Sequence, residues 1–322
     1  MDRRVGWSLL VLVVTACGKF GADDPTTSSS SSSSGGAPDA GTIQGAPVLA
    51  DASIRELARA TCEMYEKCAR AALAPYGDVA ACADRTALDL RSQLLAPDVG
   101  VGDGDLTTCA RSVRAAGCAS TFMALPGCDF RGRRANGDVC GSGAQCASGW
   151  CKAKSSSFSP CGTCYPRVGE GQPCRSNDEC ARGLSCPRGF CRRYAADGEA
   201  CNLEAVCAPT LQCAKDQKCR PSLAPGADCS DTLSCSVLDG TLCNTATNQC
   251  NDVALAASGE ACGSIEPTTY RNPMCSGGYC NSGKCAAWSN DGAACSPISC
   301  QPPARCVGRD QTCRVINASE CL

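Results

Sequence analysis

Cysteine is the residue that most constrains this chain, because 33 of its 322 residues are cysteines. Reducing compartments do not hold such a thiol load, so the number predicts an exported protein built on disulfides. After residue 136 the cysteines follow a repeated Gly-x-x-Cys pattern, which predicts six related units. The pattern begins at Gly137, Gly171, Gly198, Gly226, Gly259 and Gly292.

The N-terminus has the parts of an export signal. Arg3 and Arg4 form a basic start, and Val5–Ala16 is an apolar stretch. This stretch is too short to cross a bilayer, which takes about 20 apolar residues. We therefore predict a signal peptide at residues 1–16.

Cys17 directly follows this stretch. Val14-Thr15-Ala16-Cys17 resembles a bacterial lipobox, which implies that Cys17 is acylated and anchors the mature chain in a membrane. The alternative is an ordinary secretory peptide with an unmodified cysteine. Setting Cys17 aside leaves 32 of the 33 cysteines, an even number that favours lipidation. By resemblance to Gram-negative lipoproteins, Gly18 at the next position implies the outer membrane or the cell surface.

Residues 17–48 read as a disordered tether. They are dominated by serine, threonine, glycine, proline, aspartate and alanine, including an unbroken serine run from Ser28 to Ser34. Such a segment cannot bury enough apolar surface to fold. The tether should hold the folded part clear of the membrane.

Composition excludes several function classes. The chain has no histidine, which removes the commonest general base and every histidine metal site. Aromatic residues make up 4% and the net charge is -2, so neither stacking on bases nor attraction to a polyanion is expected. We predict no catalytic residue, no cofactor, no metal site and no nucleic-acid partner.

Residues 49–130 show helical periodicity and are predicted to form a helical module. Ser53 fits a capping box, and the apolar stripe behind it stops before Pro75. Further helices are expected from Asp78 and from near Asp105. The stripes are narrow and rich in alanine, so cross-links should supply much of the stability.

The helical module contains six cysteines, and three bridges among them would staple the bundle. Cys62 and Cys68 cannot pair within one helix, because six residues advance about 9 Å and point the two side chains apart. Each should therefore reach another segment. The remaining cysteines of the module are Cys82, Cys109, Cys118 and Cys128.

Residues 131–322 lose the helical pattern, and we expect short β-turns and ribbons closed by disulfides, with little regular secondary structure. The chain is thus predicted to be small and disulfide-rich, with an N-terminal stapled helical module followed by an array of repeats. The six repeats, called units 1 to 6, span about residues 137–168, 169–197, 198–225, 226–258, 259–291 and 292–322.

Parity predicts how the units are joined. Counted from Cys62, an odd number of cysteines precedes every border between units, so at least one bridge must cross each border. One hypothesis shifts the pairing frame by one cysteine, which gives even sets such as Cys164, Cys174, Cys180 and Cys186. In that frame neighbouring units are joined covalently, and the array is a stiff rod.

Unit 2 carries a family resemblance. It reads Gly-x-x-Cys, x5, Cys, x-x-Gly-Leu-x-Cys, x4, Cys from Gly171 to Cys191, and it resembles the cysteine-rich repeats related to the Dickkopf N-terminal domain. The layout from Gly137 to Cys313 resembles surface lipoproteins of myxobacteria. The resemblance implies extracellular binding, but it does not transfer the receptors of the animal proteins, because cysteine spacing reflects the scaffold.

Two cysteine arrangements could support a function other than structural disulfides, namely redox catalysis or metal binding. Cys161 and Cys164 have the spacing of a thioredoxin-type redox motif, but the strand-then-helix context is missing, and structural disulfides are favoured. Closely spaced cysteines could also bind zinc or a soft metal as thiolates. Export and the even count favour disulfides instead.

Three further features concern the surface of the protein: aromatic side chains, a sequon and a basic cluster. Trp150, Trp288 and Tyr279 are either exposed anchors for a partner or caps on the small unit cores, and the second role is favoured. Asn317-Ala318-Ser319 is a glycosylation sequon that we interpret as a coincidence in a bacterial-type lipoprotein. The basic cluster of Arg131, Arg133 and Arg134 is expected to be a solvated loop.

Together these features predict a non-enzymatic, lipid-anchored surface protein that presents its repeats for protein or glycan binding or adhesion. An alternative is a secreted-protease inhibitor that presents Arg182 or Arg188 on a rigid loop. A third hypothesis is a thiol-disulfide redox enzyme that uses Cys161 and Cys164.

Overall fold

The structure, a computed structural model, describes residues 47–118, 125, 127–153, 161–230, 235, 240–244, 247–252, 255–263, 274–296, 299–307 and 311–321. In these parts of the chain it contains sixteen disulfides, a few helices and many strands of two to four residues. The small disulfide-rich fold class is confirmed. The predicted signal peptide, Cys17 and nearly all of the tether lie outside the described residues.

The helical module consists of α1 (Asp51–Cys68), α2 (Arg70–Leu73), α3 (Val79–Leu94) and α4 (Asp103–Ala115). Helix α1 packs against both α3 and α4. Three disulfides join Cys62 to Cys82, Cys68 to Cys118 and Cys109 to Cys128. Small side chains let the helices approach, and the buried residues between them include Ile54, Leu57, Ala58, Ala60, Met64, Ala87, Leu94, Leu106, Ala110 and Val113.

The capping residues in the sequence predicted some helix boundaries correctly and others wrongly. The capping box at Ser53 is wrong: α1 already begins at Asp51, whose carboxylate binds Arg55 and Arg91. The helix also breaks at Ala69, where φ is -157°. Asp78 caps α3 as predicted, because its carboxylate accepts the N–H of Ala81 at 2.7 Å.

The array consists of short strands. They are β1 (Val139–Cys140), β2 (Cys151–Ala153), β3 (Gly162–Cys164), β4 (Leu184–Ser185), β5 (Arg192–Arg193), β6 (Leu211–Cys213), β7 (Cys219–Pro221), β8 (Thr241–Asn244), β9 (Gln249–Asp252), β10 (Leu255–Ala256), β11 (Met274–Cys275), β12 (Gly278–Asn281), β13 (Lys284–Ala287), β14 (Arg305–Val307) and β15 (Thr312–Arg314).

Unit 1 forms the three-stranded sheet β1-β3-β2. Each later unit has one antiparallel hairpin, and β10 at the end of unit 4 pairs in parallel with β11 of unit 5. In units 3 to 6 the hairpin places the third and fourth cysteines directly opposite each other, as with Cys213 and Cys219. Both sulfur atoms are therefore presented side by side to the start of the unit.

Each unit begins with a turn at its pattern glycine. The six glycines have φ between +77° and +99°, the left-handed region that glycine enters without a steric penalty. In unit 2 the N–H of Gly171 donates to the carbonyl of Cys191 at 2.7 Å, and the N–H of Cys191 donates to the carbonyl of Gln172 at 2.9 Å. The corresponding bond of 2.7–2.8 Å joins Gly137 to Cys164, Gly198 to Cys219, Gly226 to Cys250, Gly259 to Cys285 and Gly292 to Cys313.

The segment before each turn pairs with the following unit. The residue six positions before the first cysteine forms a parallel β-contact with the second cysteine, as Val168 does with Cys180. Backbone hydrogen bonds thus cross each border, and successive units are not independent beads. The other pairs are Arg134 with Cys146, Ala195 with Cys207, Leu223 with Cys235, Ala256 with Cys275 and Ser289 with Cys300.

The shifted pairing frame is wrong. Within each unit the first cysteine bonds to the third, and the second bonds to the cysteine whose carbonyl accepts the N–H of the pattern glycine, as in Cys174–Cys186 and Cys180–Cys191. Their Cα atoms are 6.0 and 5.5 Å apart, within disulfide reach, because the glycine turn lays the start of the unit against its own hairpin. The turn therefore closes a unit and does not bridge two.

One long-range disulfide explains why an odd number of cysteines precedes every border between units. Cys161 of unit 1 bonds to Cys321 at the end of unit 6, over a sequence separation of 160, and so crosses every border between units. The short 3-10 helix Ala318–Cys321 lies against β1. Gly141 makes this contact possible, because a Cβ there would be 2.5 Å from the Cα of Ala318. The array returns to its own start.

The returning units also contact the helical module. Arg85 on α3 forms two bonds of 2.8 and 3.0 Å to Asp291 at the end of unit 5, and it donates to the carbonyls of Gln301 and Pro302 in unit 6. In unit 5 the N–H of Gly277 donates to the carbonyl of Ala74 at 2.8 Å. The array is a closed curve that packs on the helical module, so the rod hypothesis is wrong.

Proteolytic cleavage between Arg193 and Ala200 tests the closure. With an engineered site there, we expect the two fragments to remain linked on a denaturing gel without reductant, because only Cys161–Cys321 joins them. In the double variant Cys161→Ser with Cys321→Ser the fragments should separate. The control variant Cys174→Ser with Cys186→Ser should keep them linked, and separation there would contradict this topology.

A buried carboxyl at the same contact predicts a pH dependence. Burial raises the pKa of Asp89 on α3 above its ordinary range, against the opposing effects of Gln93 and of Arg305 from unit 6. The folded state therefore binds the proton more tightly than the unfolded state, and stability falls as pH rises from the unfolded pKa through the folded one. Asp89→Asn should raise the thermal midpoint at pH 7.5, and the gain should shrink below about pH 4, the unfolded value. An equal gain at both pH values would contradict this account.

Candidate binding sites

The structure separates the two cysteines of the redox-like motif. Cys161 is bonded to Cys321, and Cys164 is bonded to Cys146. The two residues therefore do not form a disulfide with each other. Both have structural bridges, in unit 1 and in the closure of the array.

Sulfur atoms cluster in the units, as a metal site would require, but they are bonded to one another. In unit 2 the sulfurs of Cys174, Cys180 and Cys186 lie within 4.8 Å of one another. They belong to two disulfides, whose other member is Cys191. A disulfide sulfur is not a thiolate, so the arrangement does not supply the ligands that zinc requires.

The three aromatic residues singled out in the sequence, Trp150, Trp288 and Tyr279, lie in two aromatic pairs. Trp288 stacks on Tyr279 with ring centroids 5.1 Å apart, and its Nε1–H donates to the carbonyl of Pro75 at 2.7 Å. The Trp288 hydrogen bond joins unit 5 to the helical module, and Tyr279 packs on the Trp288 ring. Trp150 makes an edge contact of 5.8 Å with Tyr165, a residue that the sequence gave no reason to select and that is 45% exposed.

The basic cluster is not uniformly solvated. The side chain of Arg134 is only 9% exposed, and its Nε lies 3.0 Å from the carboxylate of Asp98. The solvated-loop interpretation is therefore wrong for Arg134, which joins Val139 of unit 1 to Asp98 in the segment after α3. Arg131 remains exposed and binds Asp129.

A pocket of about 570 Å³ lies where the end of the helical module, unit 1 and unit 2 meet. We call it the arginine pocket, because Arg131, Arg167 and Arg182 line it together with Asp129. Arg182 reaches into this junction from unit 2, with its Nε 3.0 Å from Asp129 and its Nη1–H donating to the carbonyl of Cys128. The remaining lining residues are Ala135, Asn136, Ala147, Ser148, Pro166 and Ala181.

Arg167 forms the inner wall of the arginine pocket. Its guanidinium donates to the carbonyls of Gly149 in unit 1 and Cys180 in unit 2, at 3.3 and 3.2 Å. Its Nε is buried without a hydrogen-bond partner. Burial lowers the pKa of Arg167, and the nearby charge of Arg182 lowers it further. The pocket is thus a site of excess positive charge.

A second cleft of about 500 Å³ lies between units 2 and 3. Two of its three carboxylates are ion-paired. Arg193 binds Glu199 at 2.8 Å and, with the Ala196 N–H, lowers the pKa of Glu199 to about 2. Arg188 lies 3.7 Å from Glu204, which also lines the cleft. This cleft therefore has no comparable charge imbalance.

Apolar residues on units 2 and 3 are exposed near this second cleft. Leu203 is 71% exposed and stands in the chain between the lining residues Asn202 and Glu204. Phe190 and Val206 are 47% and 40% exposed. The second cleft therefore has apolar surface in its neighbourhood.

The candidate inhibitor residues have different surroundings. Arg182 is bonded into the arginine pocket and is not free at a loop tip. Arg188 is exposed but has φ of +50°, a left-handed conformation unlike the extended backbone of a peptide docked in a groove. Asn317 of the sequon accepts hydrogen bonds from the N–H and the hydroxyl of Ser319 beside the closure of the array.

Comparison with protein-family models, with curated proteins and with solved structures finds no match to this chain. Among the described residues, the helices lack the length and apolar character that crossing a membrane requires. Inferences about function therefore depend on the residues and their geometry.

Trp288 should prove to be structural. Trp288→Phe keeps the stacked ring but removes the donor to Pro75, which should lower the free energy of unfolding by about 1 kcal/mol. Chemical denaturation with the disulfides intact measures this change. Trp150→Phe, a matched control at the other aromatic pair, should cost less, and the reverse order would contradict the assignment.

Proposed function

We propose that this protein is an exported, non-enzymatic surface protein that binds an extracellular protein or glycan at the clefts between its repeats. The observation that carries the proposal is the construction of the first two borders. Disulfides close each unit, backbone pairing joins it to the next, and each of these borders bears a cleft of several hundred cubic ångströms. Clefts of this size suit small ligands or single residues of larger ones.

A disulfide framework suits this role. The described part of units 2 to 4 has only small buried clusters made largely of cysteine, so cross-links fix the loops without a large apolar core. Such a framework keeps binding loops in one geometry and resists proteolysis outside a cell. Rigid loops also lose little conformational entropy on binding.

The N-terminal sequence supports lipid anchoring as part of the proposal. The apolar stretch of residues 5–16 and the lipobox-like end at Cys17 favour an acylated mature N-terminus in the outer membrane or at the cell surface. The stapled helical module would then lie on the membrane side of the array, behind the tether. The resemblance to Dickkopf-related repeats and myxobacterial lipoproteins supports the same extracellular setting.

Cys17→Ser tests anchoring and location together. In the native host the wild-type chain should fractionate with membranes, carry a lipid-modified N-terminal peptide and be shaved from intact cells by protease. The variant should be released from membranes or left unprocessed. Unchanged fractionation together with an unmodified N-terminal peptide would contradict lipidation, and protection of the wild-type chain on intact cells would contradict surface display.

A further inference from the structure

The arginine pocket has more positive charge than its own residues neutralise. Arg131 and Arg182 both bind Asp129, at 2.6 and 3.0 Å, so a single carboxylate serves two guanidinium groups. Arg167, the third cation of the lining, has hydrogen bonds only to main-chain carbonyls. Three cations and one anion leave two positive charges on the lining of the arginine pocket.

The surroundings of Arg167 make this charge costly. Its guanidinium is partly withdrawn from water, and Arg182 and Arg131 both disfavour its charged form, while Asp178 and Asp129 only partly compensate. The buried Nε lacks a partner, which is uncommon for a charged donor. A bound anion would offset this repulsion, and it would gain more from the cations than at a fully hydrated surface.

The ion pairs leave donors available. Arg131 uses Nε and Nη2 on Asp129, and Arg182 uses Nε there and Nη1 on Cys128. Neither arrangement occupies the whole guanidinium fork, which has five N–H donors. Guanidinium forks match the two oxygens of a carboxylate, so the remaining donors suit an oxyanion.

The rest of the arginine pocket indicates the size and kind of molecule that carries the anion. Its volume of about 570 Å³ lies within the range of small-ligand sites. Ala147, Ala181 and Pro166 give it short walls, and Asn136 and Ser148 add an amide and a hydroxyl. Neutral hydrogen-bonding groups beside cations fit a ring that carries hydroxyls and one carboxylate better than a bare inorganic ion.

We propose that the arginine pocket binds the carboxylate of an acidic sugar, with Arg131 and Arg182 as ligand contacts and Arg167 as the fixed charge behind them. This inference rests on the proposed function, because it names the ligand class of one of the clefts proposed there. It assigns no role to the second cleft. An acidic sugar here means a uronic acid, either free or as a residue of a polysaccharide.

The test uses the full chain purified in detergent micelles and a matched pair of probes. Methyl glucuronide and methyl glucoside differ only in having a carboxylate or a hydroxymethyl group. Calorimetric titration should detect the glucuronide and find the glucoside at least about tenfold weaker, as expected for loss of a charge-assisted contact. Added salt should weaken glucuronide binding, because the pocket is open to solvent.

Arg131→Gln and Arg182→Gln should each weaken glucuronide binding by about tenfold. Arg220→Gln is the control, because it removes the same charge from an exposed arginine that is likewise paired with a nearby aspartate, Asp216, but lines neither cleft, and it should leave binding unchanged. Arg131 has a largely exposed side chain, so its variant should fold. Full disulfide formation and an unchanged circular dichroism spectrum check this.

Three results would overturn the assignment. The first is equal affinity for glucuronide and glucoside. The second is inorganic phosphate or a short polyglutamate peptide binding as tightly as the glucuronide, which would indicate an anion site without sugar recognition. The third is a glucuronide affinity that neither pocket variant changes. Failure here with surface display intact removes the ligand class but leaves the proposed function, whereas loss of surface display removes the proposed function whether or not the glucuronide binds.

Discussion

The structure of the array depends on the crossed pair of disulfides in each unit. The units are too short to enclose an apolar core, and their buried clusters are made largely of cysteine with one or two aliphatic neighbours, such as Leu184 and the preceding Val168 at the cluster of unit 2. Disulfides therefore stabilise the units in place of the side-chain packing that stabilises a larger domain. The glycine turn decides which sulfurs can meet, because it lays the first two cysteines across the sheet that carries their partners.

Charged side chains occupy the junctions between these small units. Arg85 binds Asp291 while only 12% of its side chain is exposed, and Arg134 is similarly enclosed beside Asp98. Both ion pairs join the array to the helical module, and both have bonds to main-chain carbonyls. Such enclosed pairs depend on hydrogen bonds that offset the loss of hydration, so they fix a geometry more than they add stability. In the arginine pocket, by contrast, the arginines outnumber the carboxylates that could pair with them.

The sequence predicted the parts of the array but not their assembly. The Gly-x-x-Cys spacing gave six units, because it reflects a local turn that recurs with the same hydrogen bond. Parity correctly required a bridge across each border, yet it could not distinguish many short bridges from the single Cys161–Cys321 bond. Gly141 was not distinguished from other glycines either, since the close approach of Ala318 arises only when the chain returns from 177 residues away.

The sequence likewise pointed to some residues of the arginine pocket, but not to the pocket itself. Arg131 and Arg182 were selected from the sequence for other reasons, as a solvated loop and as an inhibitor residue, and Arg167 was not selected. Their convergence depends on the parallel contact between Val168 and Cys180, which sets unit 2 against unit 1. No spacing pattern carries that information.

The closed covalent loop also has a mechanical consequence: a pulling force between any point of units 2 to 5 and the start of unit 1 is shared by two covalent routes, one along the chain and one through Cys321 and Cys161. The two routes carry the force in parallel, and cutting one of them still leaves the other to carry it.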